Sequence, residues 1–211
     1  MPELSDLKLH NGTVWRWNRP IYDMSQGVPH LRVENRVLPA GPTAVDTVAN
    51  ACFYYGLLES FTTSGRPIWT KMPFADADRN FLDAAKHGIH ATQTWPGLGP
   101  LAAVDLVADH LLSVADDGLA ALGLRREVRN HYLSIIEGRC RAGTNGASWQ
   151  VAVTEAYEDA GYGRDEALTA MFGHYLDNSE DNIPVHTWEV PTVEARTAEG
   201  DQPDRTQVRP A

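Results

Sequence analysis

Three charged residues, Arg32, Glu34 and Arg36, alternate with Val33 and Asn35 in the segment from residue 30 to 38. In a β-strand this spacing places a carboxylate between two guanidinium groups on one face of the strand. The carboxylate could bind a divalent cation, and the arginines could bind phosphate oxygens. The pattern therefore indicates phosphoryl transfer, a reaction that depends mostly on positioning and on charge stabilisation. The alternative is a solvated strand face with cross-strand ion pairs.

Two further arginines, Arg16 and Arg19, precede this segment. The protein as a whole is acidic, with a net charge of −10. Four arginines within about twenty residues are therefore a local excess of positive charge, and this excess favours an anionic ligand. That acidity argues against a nucleic-acid partner. No apolar run approaches the roughly 20 residues of a membrane helix. The N-terminus has no signal-peptide pattern, so we expect a cytoplasmic protein.

The elements that would position these residues form an α+β protein, with a small antiparallel β piece followed by a helical region. Strands are predicted over residues 13–19 and 30–38, with a connection over 22–29. The first helix begins after Thr43, is apolar nearly all round and should be buried. The other helices are predicted over about 75–87, 100–115 (with Pro100 at its first position and a break at 117–118), 125–137, 148–159 and 165–178. Residues 191–211, in which polar residues and proline replace the core residues, should be a disordered tail.

A glycine-rich segment, residues 138–147, is predicted to be a loop between helices. It contains Arg139, Arg141 and Asn145, which could close over an anionic substrate. The alternative is an ordinary connection whose glycines permit tight turns. Cys140 lies between the two arginines, which could lower the pKa of its thiol.

Three segments together resemble the C-terminal half of the glutamate–cysteine ligase type 2 (carboxylate–amine ligase) family. They are NGTVWRWNRP at residues 11–20, PHLRVENRVLP at 29–39 with the apolar helix after it, and GTNGASWQ at 143–150. The resemblance covers residues 10 to about 188, and it implies that residues 1–190 are the C-terminal portion of such a catalytic domain. It implies the catalytic fold of the glutamine synthetases, in which an Arg-x-Glu-x-Arg strand is followed by a proline-containing turn and an apolar helix.

The resemblance also implies roles for individual residues. Arg32 would contact the phosphates of ATP, Glu34 would bind Mg²⁺, and Arg36 would be catalytic, holding the transferring phosphoryl group or the substrate carboxylate. Either Arg16 or Arg19 would be a further phosphate-binding residue. The implied reaction is ATP-dependent ligation of glutamate to an amine such as cysteine, through an acyl phosphate.

In that family, the first half of the catalytic sheet carries most of the metal-binding carboxylates and the glutamate pocket. The present sequence contains no counterpart of that half. We therefore expect the activity to need an absent N-terminal half or a homo-oligomer. The alternative function is a non-catalytic remnant or a partner-binding subunit of such a ligase.

Overall fold

The computed structural model describes residues 18–38 and 40–196, and the chain divides into two compact units, residues 1–40 and 41–211. The predicted α+β class is confirmed, since two antiparallel two-stranded sheets accompany a set of helices. Within the described residues no helix combines the length and the apolar character needed to cross a membrane.

The first unit contains a β-hairpin of strands β1 (Asn18–Ser25) and β2 (Val28–Asn35). Its two-residue turn has positive φ at both Gln26 (49°) and Gly27 (81°), as in a type I′ turn. The predicted connection over 22–29 is therefore wrong, because most of it is strand. Glycine adopts positive φ without steric cost, and this lets two residues reverse the chain. Residues 13–17 of the predicted first strand lie outside the described residues.

The second unit is mainly helical. Its helices are α1 (Ala44–Thr63), α2 (Phe74–His87), α3 (Ala103–Leu106), α4 (Leu112–Ala121), α5 (Arg126–Ala142), α6 (Gly146–Asp159) and α7 (Arg164–Glu180). A π-helical turn, Val107–Leu111, joins α3 to α4. Short 3-10 turns occupy Ile68–Thr70, Gly88–His90 and Val185–Thr187, and a second hairpin pairs β3 (Thr92–Trp95) with β4 (Gly99–Ala102).

The helix predicted to start at Pro100 is wrong, because Pro100 lies within β4. Gly97 and Gly99 have φ of 81° and 76°, so the chain reverses there before the helix begins. The hairpin is bound to α2 through Asn80. Its side-chain amide donates to the carbonyl of Thr94 and accepts from the amide of Thr94, both at 2.8 Å.

The predicted helix break at residues 117–118 is also wrong, since α4 continues through Gly118. The cause is a close crossing of α4 and α1. A Cβ atom on Gly118 would lie 2.0 Å from the carbonyl oxygen of Gly56 on α1. Glycine is therefore present for a backbone contact between helices and not for a turn.

Helix α1 begins as predicted, because the Thr43 hydroxyl accepts from the amide of Asp46 at 3.1 Å. The prediction that the whole helix is buried is wrong for one face. Ala49 is fully buried, but Val48, Tyr55 and Leu58 are 41%, 56% and 44% exposed. An apolar helix surface is thus left uncovered by the described residues.

The core of the second unit joins the C-terminal segment to the helices. One cluster comprises Trp149, Val153, Met171, Val185 and Trp188. Two others lie where α1, α4 and α5 meet. Further along, the backbone amide of Arg196 donates to the carbonyl of Ala160 at 2.7 Å. The remainder of the predicted tail, residues 197–211, lies outside the described residues.

Candidate functional site

The hairpin places its charged side chains on one face. Arg19 is directly opposite Glu34 in the register, and Asp23 is directly opposite His30. Because side chains alternate along a strand, Arg32 shares this face with Glu34 and His30. The predicted alternation is therefore confirmed for Arg32 and Glu34, but β2 ends at Asn35, so the prediction that Arg36 belongs to the same strand is wrong.

Glu34 is the centre of a three-residue ion cluster. Its Oε2 atom accepts from Arg19 Nε at 2.5 Å and lies 3.2 Å from Arg36 Nε. The three side chains are only 24%, 36% and 22% exposed for Arg19, Glu34 and Arg36, respectively. The cross-strand pair that the alternative interpretation predicts is therefore present, but in a half-buried setting and not in a fully solvated one.

Arg32 belongs to a second cluster on the same face. Its Nη1 atom donates to Asp23 Oδ2 at 2.9 Å and to His30 Nε2 at 2.9 Å. The other carboxylate oxygen of Asp23 accepts from the amide of Met24 at 2.7 Å. This backbone hydrogen bond, together with the Arg32 guanidinium, lowers the pKa of Asp23.

The structure therefore brings together Arg19, Glu34 and Arg36 and places Arg32 beside them with different partners. Arg16 lies outside the described residues. The predicted site omits Asp23, which falls in the predicted connection over 22–29. It also omits His30, which lies in the predicted strand but has no predicted partner there without Asp23. The signal that could have found them is the same period-two count, continued backwards from Arg32 and forwards from Arg19.

The opposite face of the hairpin is apolar and uncovered by the described residues. Met24, Leu31 and Val33 are 42%, 67% and 68% exposed, and each side chain is on the face away from the ion clusters. A two-stranded sheet alone is marginally stable, so a face of this kind normally packs against another layer.

The predicted loop over 138–147 is wrong, and its arginines do not form an open anion site. Residues up to Ala142 belong to α5, and Asn145 caps α6 by accepting from two backbone amides.

Arg139 donates from Nη2 to Asp46 Oδ1 and from Nη1 to Asn50 Oδ1, both at 2.6 Å. Burial raises the pKa of the Cys140 thiol, which is the opposite of an activated nucleophile.

Few side chains of the described residues are placed to act as ligands of a metal ion. Within residues 18–38 and 40–196, no group of three or more His, Cys, Asp or Glu side chains is placed to hold a metal ion. Glu34 is the predicted ligand, and its Oε2 atom already accepts from arginine. One carboxylate could serve Mg²⁺ only together with phosphate oxygens and further ligands.

Comparisons of the chain with protein-family models, with characterised proteins and with solved structures gave no significant match.

Proposed function

We propose that the chain is part of an ATP-dependent carboxylate–amine ligase of the glutamate–cysteine ligase type. It would be the C-terminal part of the catalytic domain, with a glutamine synthetase-like fold, and the enzyme would work in the cytoplasm. The observation that carries the proposal is the charged face of the hairpin. There, Arg32 and Glu34 share one face of β2, and Glu34 contacts both Arg19 and Arg36. This concentration of guanidinium groups suits a polyphosphate ligand better than a neutral one.

In the proposed reaction, a carboxylate oxygen of glutamate attacks the γ-phosphorus of ATP, and ADP leaves. The nitrogen of the amine then attacks the acyl carbon of the acyl phosphate, phosphate leaves, and the nitrogen loses a proton. Arg36 would hold the transferring phosphoryl group or the substrate carboxylate. Arg32 and Arg19 would bind the polyphosphate and balance its charge. Arg16 is the alternative to Arg19 in this role.

Glu34 would be a ligand of Mg²⁺. Mg²⁺ in nucleotide sites commonly uses one or two carboxylates and completes its shell with phosphate oxygens and water, which fits a site with one glutamate. When bound, the ion would neutralise phosphate charge. To bind the ion, Glu34 Oε2 must give up at least one of its contacts with Arg19 and Arg36. The negative charge of the bound phosphate would then replace the carboxylate as the partner of those arginines.

A second candidate function is a partner-binding subunit without activity of its own. The observation that favours it is the uncovered apolar face at Leu31 and Val33. A further part of the catalytic sheet, or another chain, would cover this face. In the ligase proposal the covering part also supplies the remaining carboxylates and the glutamate pocket.

The experiment that tests the proposal is ADP release from Mg–ATP, measured with glutamate and a panel of amines that includes cysteine. It is performed with the chain alone and with the chain joined to any polypeptide encoded upstream of it. We expect release that requires both glutamate and an amine. ADP release that does not depend on glutamate or on the amine would contradict the ligase proposal. No release from the joined protein would also contradict it, and would favour the partner-binding subunit.

A further inference from the structure

The second ion cluster of the hairpin has a geometry that the ligase motif does not account for. Arg32 is held from two sides, by Asp23 on β1 and by His30 on β2. Asp23 and His30 face each other across the two strands, and Arg32 follows His30 on the same face. A long, flexible arginine side chain is thereby held by one residue of each strand.

The carboxylate of Asp23 accepts a hydrogen bond on each of its two oxygens. Its Oδ1 atom accepts from the amide of Met24 at 2.7 Å while Oδ2 accepts from Arg32 at 2.9 Å. The two oxygens therefore have different donors, one from the backbone and one from the guanidinium. An asparagine in the same position would present an NH₂ group, which has donors only, to one of these two donors.

His30 completes the arrangement through Nε2, which must accept, because a guanidinium has donors only. Both contacts to Arg32 use Nη1. The Nε and Nη2 atoms of Arg32 have no hydrogen-bond partner among residues 18–38 and 40–196. These two donors form one edge of the guanidinium fork and suit a bidentate contact with a phosphate. Arg32 and His30 also line a shallow cavity at the turn end of the hairpin, together with Asp23, Met24, Ser25 and Val28.

We propose that Asp23 and His30 are positioning residues that hold Arg32 with its Nε–Nη2 edge available to the polyphosphate of ATP. This inference rests on the proposed function, since it takes the nucleotide as the ligand of Arg32. It adds two residues, neither of which belongs to the Arg-x-Glu-x-Arg motif. An arginine that is already ordered loses less conformational entropy when it binds phosphate, and this improves affinity.

The sign of one substitution separates positioning from simple charge competition. Asp23→Asn removes a negative charge next to Arg32. If Asp23 only competes with phosphate for the guanidinium, this variant binds Mg–ATP more tightly. If Asp23 positions Arg32, the variant binds less tightly, because an NH₂ group replaces one of the two oxygens that accept from Met24 and Arg32.

The probe is Mg–ATP, titrated calorimetrically into the full chain. We expect Asp23→Asn and His30→Ala each to raise Kd about tenfold, the loss typical of one hydrogen bond to a charged group. His30→Gln should restore affinity to within about twofold, because the glutamine oxygen can replace Nε2 as acceptor. Asp78→Asn, an exposed carboxylate on α2, removes the same charge elsewhere and should leave Kd unchanged. Unchanged or tighter binding by Asp23→Asn would overturn the proposal.

A second measurement separates this proposal from the function on which it rests. The guanidinium NMR signals of Arg32 report whether its rotation is restricted in the absence of nucleotide. We expect restricted rotation in the wild type and in His30→Gln, and averaged signals in Asp23→Asn and His30→Ala. Averaged signals in the wild type would overturn the positioning role. Restricted signals in a chain that does not bind Mg–ATP would support positioning and count against the proposed nucleotide site.

Discussion

Replacement of Arg139 by methionine should be strongly destabilising, because it leaves the carboxylate of Asp46 buried without its counter-charge. Asp46 is 0% exposed, and the Arg139 side chain is only 13% exposed. The substitution also removes the hydrogen bonds from Arg139 to Asn50 and to the carbonyl of Asp46. Removing one partner of a buried ion pair typically costs about 3–5 kcal/mol of unfolding free energy.

The assay is urea unfolding at constant pH, followed by circular dichroism. Arg141→Met is the matched control, because Arg141 lies on the same helix but is 60% exposed and pairs with exposed carboxylates. It should cost less than about 1 kcal/mol. Asp46→Asn combined with Arg139→Met should recover part of the loss, since no unpaired charge is then buried. If Arg139→Met is no more destabilising than Arg141→Met, the reasoning is refuted.

Three other outcomes are expected from the second unit. Gly118→Ala should lower Tm by several degrees through its clash with the α1 backbone, whereas Gly173→Ala, with open space at its Cβ, should leave Tm unchanged or raise it. Burial lowers the pKa of His186, so the unfolded chain takes up a proton first as the pH falls below 6.5. Stability should therefore drop on acidification, and His186→Gln should flatten this dependence in a pH series of Tm measurements. Deletion of residues 197–211 should leave Tm unchanged, and a fall of several degrees would contradict the predicted tail.

The part of the candidate site that could be predicted is the part governed by a local rule. Period-two alternation is a property of the extended backbone, so the positions of Arg32 and Glu34 on one face followed from the sequence. The rule does not by itself reach Asp23, because residues 22–29 contain Gly27 and their composition predicts a connection and not a strand. The chain reverses in two residues, Gln26 and Gly27, so the rest of the predicted connection over 22–29 belongs to the strands.

The errors in the second unit have a common physical cause. Gly118 and Gly138 each predict the end of a helix, but both lie inside helices. Glycine is needed at these positions because another element approaches too closely for a Cβ atom. At Gly118 that element is α1, and at Gly138 it is the ring of His186. Contacts of this kind join residues that are distant in the chain, and local sequence patterns do not encode them. The pairing of Asp46 with Arg139, 93 residues apart, is of the same kind.

The most direct test of the central claim compares Glu34→Gln with Asn35→Ser in the complete ligase assembly. ADP release that depends on glutamate and amine is measured, together with Tm for each variant. Glutamine keeps the shape of Glu34 but lacks the charge that a hard cation requires, so Glu34→Gln should abolish turnover while the fold persists. Asn35→Ser, on the opposite face of β2, should change turnover only slightly. Normal turnover in Glu34→Gln would contradict the magnesium-binding role and, with it, the proposed active site.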